Sequence, residues 1–452
     1  MAQGRSHWLI TVALMVTDVI GSGVLALPAT LASLGWIGGL IALLVLGFIS
    51  LYTGLLIARL RGCHPHVGSY ADLGQELLGK KGRALAATLS YVQMFGLCVV
   101  FIVGMSIFAN QVAESMHFPP PCFVVSAACI CAVTLAFAQV RDLHGIGHVS
   151  AWIGLPTLYI CLALLFGQLF GSEEALFQQR TDMRPPFGAS KAAVGFMNIV
   201  LTYAGHVVYF ELLGSMAQPR DFPKAVWVSQ ALIMATYFAV AILVYVALGN
   251  EVASPFSESL HPSAIVGVAD IVMIVHVLFS LLINHHIISR VLYDWSARHL
   301  RCCRSAKDPS SGGLSGLGWP AATASILAGA WLVANVVPFF SEVMALLSSV
   351  AALNLTYSFP AAAALLQHRR DSIQATCADA GKAESEDGES ASNSRAEVDA
   401  RAAQVFAYPS IEIPLCCTIV FCSAILMVYG VQSAVQDTIQ HWASIDRRPF
   451  GC

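Results

Sequence analysis

Charge is what this sequence has least of. Only 11% of its 452 residues are Asp, Glu, Lys or Arg, and 57% are hydrophobic, where an ordinary soluble domain is about a quarter charged. That deficit excludes a soluble fold, in which every helix needs a polar face. The net charge of -3, with no basic face, excludes a nucleic-acid binder. No Gly-rich loop followed by Lys is present to cradle phosphate, which argues against ATP-driven work by this chain. Neither a nucleophile with its base nor a metal-binding set stands out, so we expect no enzyme, no cofactor and no bound metal. The thirteen cysteines do not change this. Cys98, Cys129, Cys131, Cys161, Cys416, Cys417 and Cys422 lie in apolar runs, where thiols pack as small hydrophobes. The adjacent pairs Cys302-Cys303 and Cys416-Cys417 lack zinc-site spacing, and no disulfide framework is expected.

What is present is a succession of apolar runs about 20 residues long, the length that crosses a bilayer as a helix. Arg5 followed by an apolar stretch has the outline of a secretory leader. Asp18 and two glycines inside that stretch, which runs directly into a second one, read instead as a span. Eleven spans are expected, at 8–34, 35–58, 84–112, 121–139, 148–170, 192–216, 226–249, 265–288, 321–340, 343–366 and 413–435. With the N-terminus in the cytoplasm, 19 of the 24 Lys and Arg fall in inside segments and 5 outside, the asymmetry of cytoplasmic loops. The fold class is therefore an all-α polytopic membrane protein. Residues 1–366 form a core of ten spans, 367–411 a disordered cytoplasmic loop, and 412–452 an eleventh span with a short tail. The stretch 370–404 is dense in Ala, Ser, Glu and Asp and buries too little to order itself; it is a candidate docking segment for a cytoplasmic regulatory partner. Tyr70, Leu73, Leu77 and Leu78 recur at helical spacing, predicting a short surface helix between spans 2 and 3.

Two spans are interrupted near their middles. Span 1 carries Gly21-Ser22-Gly23 and then Pro28; span 6 carries Tyr203-Ala204-Gly205-His206. Freed peptide groups in lipid cost several kcal/mol each, so non-helical chain survives there only where protein or a water-filled cavity satisfies it. Breaks at matching places in two five-span halves point to a binding site in a 5+5 inverted repeat, where half-helix ends meet an ionic ligand. The competing reading is that small residues serve helix packing.

Three carboxylates sit at membrane depth: Asp18, Glu211 and Asp270. Such residues are costly there and mark ion or proton paths, or else interior polar packing. Asp18 stands one turn before Gly21, placed either to exchange a proton or to cap the broken backbone. Glu211 either joins the coupling path or pairs with a neighbouring helix. Asp270 and His276 read as interior polar packing, and His285 with His286 as interfacial. Tyr203 either closes over a ligand or fills the core as an aromatic residue.

Several stretches resemble the amino acid/auxin permease family: Gly21-Ser22-Gly23-Val24-Leu25-Ala26-Leu27-Pro28 followed by Leu34-Gly35-Trp36, then Tyr70-Ala71-Asp72-Leu73-Gly74, Ala204-Gly205-His206 with Glu211, and Ile274-Val275-His276-Val277. The resemblance covers nearly the whole chain. It implies a carrier of the leucine-transporter type, with eleven spans and usually coupled to protons. Gly21, Ser22 and Gly23 would meet the carboxylate of an amino acid; Tyr203, Ala204 and Gly205, with His206 beside them, would surround its amino group. Asp18 departs from the small apolar residue of plant-type members, which points to altered or tighter proton coupling. The Asn-rich ligands of sodium-coupled relatives are not evident around Asp18 to Val24, so H+ is favoured over Na+. A sensor of the same fold that binds without moving its ligand is the alternative. The host is a plasma, vacuolar or endosomal membrane.

Overall fold

The computed structural model describes residues 6–140, 143–171, 179–185, 188–302, 318–382 and 409–444. These form helices α1 (Trp8–Val19), α2 (Leu27–Cys63), α3 (Tyr70–Ser115), α4 (Phe123–Phe137), α5 (Leu143–Gly171), α6 (Ala189–Thr202), α7 (Tyr209–Ser215), α8 (Phe222–Leu248), α9 (Ala264–Cys302), α10 (Gly318–Val336), α11 (Phe340–Leu347), α12 (Phe359–Lys382) and α13 (Pro409–Ser444). Among the described residues no strand ladder occurs, and nine helical stretches are long and apolar enough to cross a membrane; α1 and α4 are shorter apolar helices. Each expected apolar run falls on helix.

Local chemistry sets the joints. Gly35, at φ 70°, divides α2 where the helix ends of the first two expected spans meet. A side chain there is disfavoured twice: by the left-handed backbone, and because an added Cβ would lie 2.6 Å from the carbonyl carbon of Arg184. Gly79, at φ 68°, divides α3 in the same way. The part before it carries Tyr70, Leu73 and Leu77, all buried, as the predicted surface helix. Ser69 caps it, its hydroxyl accepting from the Asp72 amide at 3.2 Å, with Asp72 in the favourable first turn.

The broken elements lie at the centre. α1 packs on α5 and α8, α2 on α6 and α8, α6 on α11 and α13, while α9 runs across α3 and α5. Buried side chains form one continuous core through these helices. Large apolar residues such as Ile41, Phe48, Trp152, Phe421 and Val428 face outward, where only lipid makes them favourable.

Three expectations change. α12 continues through Arg370 to Lys382, so the first third of the supposed disordered loop is helical; its alanines favour helix, and the rest of the loop lies outside the described residues. His285 and His286 are buried rather than interfacial, because α9 extends past them to Cys302 and His285 Nε2 donates to the Thr323 carbonyl of α10 at 3.0 Å. Cys122, just before α4, is disulfide-bonded; spacing alone does not disclose such a pairing, which tertiary approach decides. Span 10, found as an apolar helical stretch, passes through π turns over Ser348–Ala352 and Asn354–Ser358.

Candidate functional site

The first break begins where α1 stops at Val19. Gly21 N–H turns back to the Val19 carbonyl at 3.0 Å, and the chain continues as a tight turn over Ser22–Ala26 before α2. The second begins at Thr202, passes through Tyr203 to Gly205, and resumes through His206–Val208 into α7. Each interruption frees carbonyls that lipid cannot satisfy, and side chains from distant helices take them. The Tyr237 hydroxyl of α8 lies 3.0 Å from the Val19 carbonyl and 2.6 Å from that of Thr202. One buried hydroxyl therefore ties both breaks together. His276 of α9 holds the next carbonyl, with Nε2 at 2.9 Å from Ile20 O and Nδ1 at 2.9 Å from Gly154 O of α5. Both partners are acceptors, so a neutral ring, which has one N–H, serves one of them and the imidazolium serves both.

The two breaks touch. A Cβ added to Gly205 would meet Val19 Cγ2 at 2.2 Å, and one added to Gly23 would stand 3.4 Å from Thr202 Oγ1 and 3.2 Å from Met344 Cε of α11. Glycine is needed at 205 for that approach. Gly21 faces Phe101 of α3, at 3.4 Å from such an added atom. The Ser22 hydroxyl is buried and makes no hydrogen bond, an unusual state for a polar group removed from water.

Of the expected site residues, Gly23 of the first break and Gly205 of the second make the approaches that join them, with Gly21 and Ser22 beside the one and Ala204 beside the other along the chain. Tyr203 and His206 turn toward α2 instead. The Tyr203 hydroxyl donates to Leu43 O at 3.1 Å. His206 Nε2 lies 3.0 Å from Ser50 O and 3.1 Å from Thr53 Oγ1, with its ring stacked on Tyr209. These two side chains anchor the second break to α2, and His206 Nδ1 is buried without a partner.

A cavity lies on either side of the junction. One, of about 380 Å³, is lined by Leu14, Glu211, Ile287, Arg290 and Asp294; Asp18, partly exposed, is one turn beyond Leu14 on the same face of α1. The other, of about 280 Å³, is lined by Thr30, Ser33, Asn198, Asn250 and Glu342 among others. The first adjoins the α1 and α7 ends of the broken elements, the second the α2 and α6 ends. Ser6, ahead of α1, exchanges backbone hydrogen bonds with the end of α7: its N–H donates to Ser215 O at 3.2 Å, and Ala217 N–H donates to its carbonyl at 3.0 Å. α1 and α7 are thereby joined beside the first cavity.

Tyr237 and His276 were not assigned a role at the breaks by sequence reasoning. His276 carried a signal, a lone imidazole deep in an apolar run. Tyr237 carried none, since tyrosine is unremarkable in such a helix.

The model for the family described as transmembrane amino acid transporter protein matches residues 4–378. The chain is similar to the N amino acid transport system protein of Neurospora crassa, 26% identical over 380 residues that cover 79% of this chain and 75% of that protein. An Arabidopsis thaliana amino acid transporter is 27% identical over 355 residues, covering 76% of this chain and 64% of that protein. A lysine histidine transporter-like protein of the same plant is 27% identical over 299 residues, covering 62% of this chain and 65% of its own length. Apolar spanning helices, two joined breaks and a family match over residues 4–378 lead to one statement of identity: this chain belongs to the transmembrane amino acid transporter family.

Proposed function

We propose that the chain is a secondary active transporter of amino acids, coupled to protons and working by alternating access across eleven spans arranged as a 5+5 inverted repeat with one helix added. The carrying observation is the pair of broken helices joined through Tyr237 with a cavity on each side. Opening one cavity at a time past a fixed junction moves a small zwitterion without a continuous pore. The Ser22 hydroxyl and peptide groups of Gly21 to Gly23 receive the substrate carboxylate; carbonyls of Tyr203 to Gly205 receive its ammonium. Asp18 of α1 and Glu211, which lines the cavity beside α1 and α7, carry the proton, with H+ as the coupling ion in place of Na+. The N-terminus is cytoplasmic in this reading, which the distribution of Lys and Arg supports. The disulfide-bonded Cys122 then lies at an outer loop, the oxidising side. The relatives carry the names of transporters, and none supports the sensor alternative.

The test is Asp18→Asn in proteoliposomes. Uptake driven by a pH gradient is lost while counterflow exchange of labelled amino acid persists. Gradient-driven uptake at the wild-type rate removes Asp18 from the mechanism.

A further inference from the structure

Away from the breaks, His64 and His66 flank Pro65 in the turn between α2 and α3, and Glu76 reaches them from the first part of α3. Among the described residues these three form one group whose ligating atoms all lie within 4.8 Å of one another. His66 Nε2 is 3.2 Å from Glu76 Oε2, and His64 Nδ1 is 3.9 Å from Glu76 Oε1. Two imidazoles thus converge on the two oxygens of one carboxylate.

The surrounding hydrogen bonds decide which His64 nitrogen is open. Gln367 of α12 gives its amide N–H to Asp371 Oδ1 at 2.9 Å; a carboxylate only accepts, which fixes the amide orientation. The Gln367 oxygen therefore faces His64 Nε2, 2.9 Å away, and that nitrogen must donate. In the neutral ring Nδ1 is then left with a lone pair aimed at Glu76, an anion. Lone pair against carboxylate is repulsive, and a cation between them reverses the sign. An orienting partner on the far nitrogen is the usual support of a metal-bound histidine.

We infer that His64 Nδ1, His66 Nε2 and a Glu76 oxygen form a binding site for a divalent transition metal, Zn²⁺ above all, with Gln367 and Asp371 as its positioning residues. Two imidazoles and a carboxylate suit Zn²⁺, with one position left for water. Tetrahedral ligands at about 2.0–2.1 Å from zinc stand about 3.3 Å apart. His66 and Glu76 already have that separation, and rotation of the His66 ring, whose side chain is 67% exposed, together with a small shift of His64 closes the rest. The bound ion would fasten the turn after α2, the surface helix of α3 and, through Gln367, the end of α12 into one unit. The inference is independent of transport, since none of these residues lies at the breaks.

The experiment uses the purified full chain, freed of any affinity tag and stripped with chelator, titrated calorimetrically with ZnCl₂ at pH 7.5. One Zn²⁺ binds per chain. Gln367→Ala weakens binding by about 10- to 100-fold, and His66→Ala and Glu76→Gln weaken it further. Without metal, His66→Ala and Glu76→Gln, both at partly exposed side chains, keep the wild-type melting temperature, while Gln367→Ala, at a buried side chain that holds His64 and Asp371, lowers it. Co²⁺ in the same site gives the strong visible absorption of four-coordinate geometry, which weakens in His66→Ala. Absence of saturable binding overturns the inference. Wild-type affinity in both His66→Ala and Glu76→Gln places the ion elsewhere and overturns it equally.

Discussion

Replacing Tyr237 by Phe removes one oxygen and leaves the ring, so the edge contact with Tyr203 at 5.1 Å between centroids is kept. The hydroxyl has a single proton, shared between the Val19 and Thr202 carbonyls at 3.0 and 2.6 Å. Without it the Thr202 carbonyl loses its donor from α8, while the Val19 carbonyl keeps the Gly21 N–H at 3.0 Å. An unmade hydrogen bond at a buried group costs about 1–3 kcal/mol, and because the proton serves one carbonyl at a time the loss counts once rather than twice. If that cost falls on the arrangement in which the breaks are joined, its population falls by about 5- to 150-fold relative to competing arrangements. The assay is the initial uptake rate of labelled amino acid in proteoliposomes, alongside thermal unfolding of the same preparation. Tyr237→Phe is expected to lose about an order of magnitude in uptake and to melt at a lower temperature. Tyr159→Phe serves as the control, since its exposed hydroxyl contacts Thr236 at the surface and should change neither reading. Tyr237→Phe with wild-type uptake and melting would show that the breaks do not depend on this bridge, and the account of the site would fail with it.

Two further outcomes follow from the junction. Gly205→Ala drives a methyl to 2.2 Å from Val19 Cγ2, and a valine side chain has little rotamer freedom to withdraw; uptake should fall more than tenfold and partly return when Val19→Ala is added, whereas no recovery in the double variant would mean the close approach is not what Gly205 secures. Ser22→Ala deletes a hydroxyl that makes no bond within the protein, so melting should hold or rise slightly while KM for the amino acid increases. A lowered melting temperature with unchanged KM would make Ser22 structural.

The membrane fold was legible because the solvent dictates it: lipid demands apolar runs of a fixed length, and those runs stand in the chain with little else between them. The breaks were legible for a related reason. Gly21, Gly23 and Gly205 interrupt helices where interruption is expensive, and all three lie in the observed breaks. Side-chain directions were not legible in the same way. The family resemblance sets Tyr203 and His206 around a substrate amino group, and in the structure their side-chain polar atoms reach α2. Nothing in a local window tells on which side of a broken helix a side chain leaves. The supposed loop after 366 was misread in its first part because the helix of span 10 outruns the apolar segment that signals it.

By itself the sequence determined that this chain lives in a bilayer, where its helices lie, and where two of them must give way. All three follow from short-range properties: hydropathy over 20 residues and backbone freedom at single glycines. Only the tertiary structure decided what satisfies the broken backbone. Tyr237 reaches Val19 across 218 positions and His276 reaches Ile20 across 256, and a hydrogen bond depends on distance in space, of which separation along the chain carries no record.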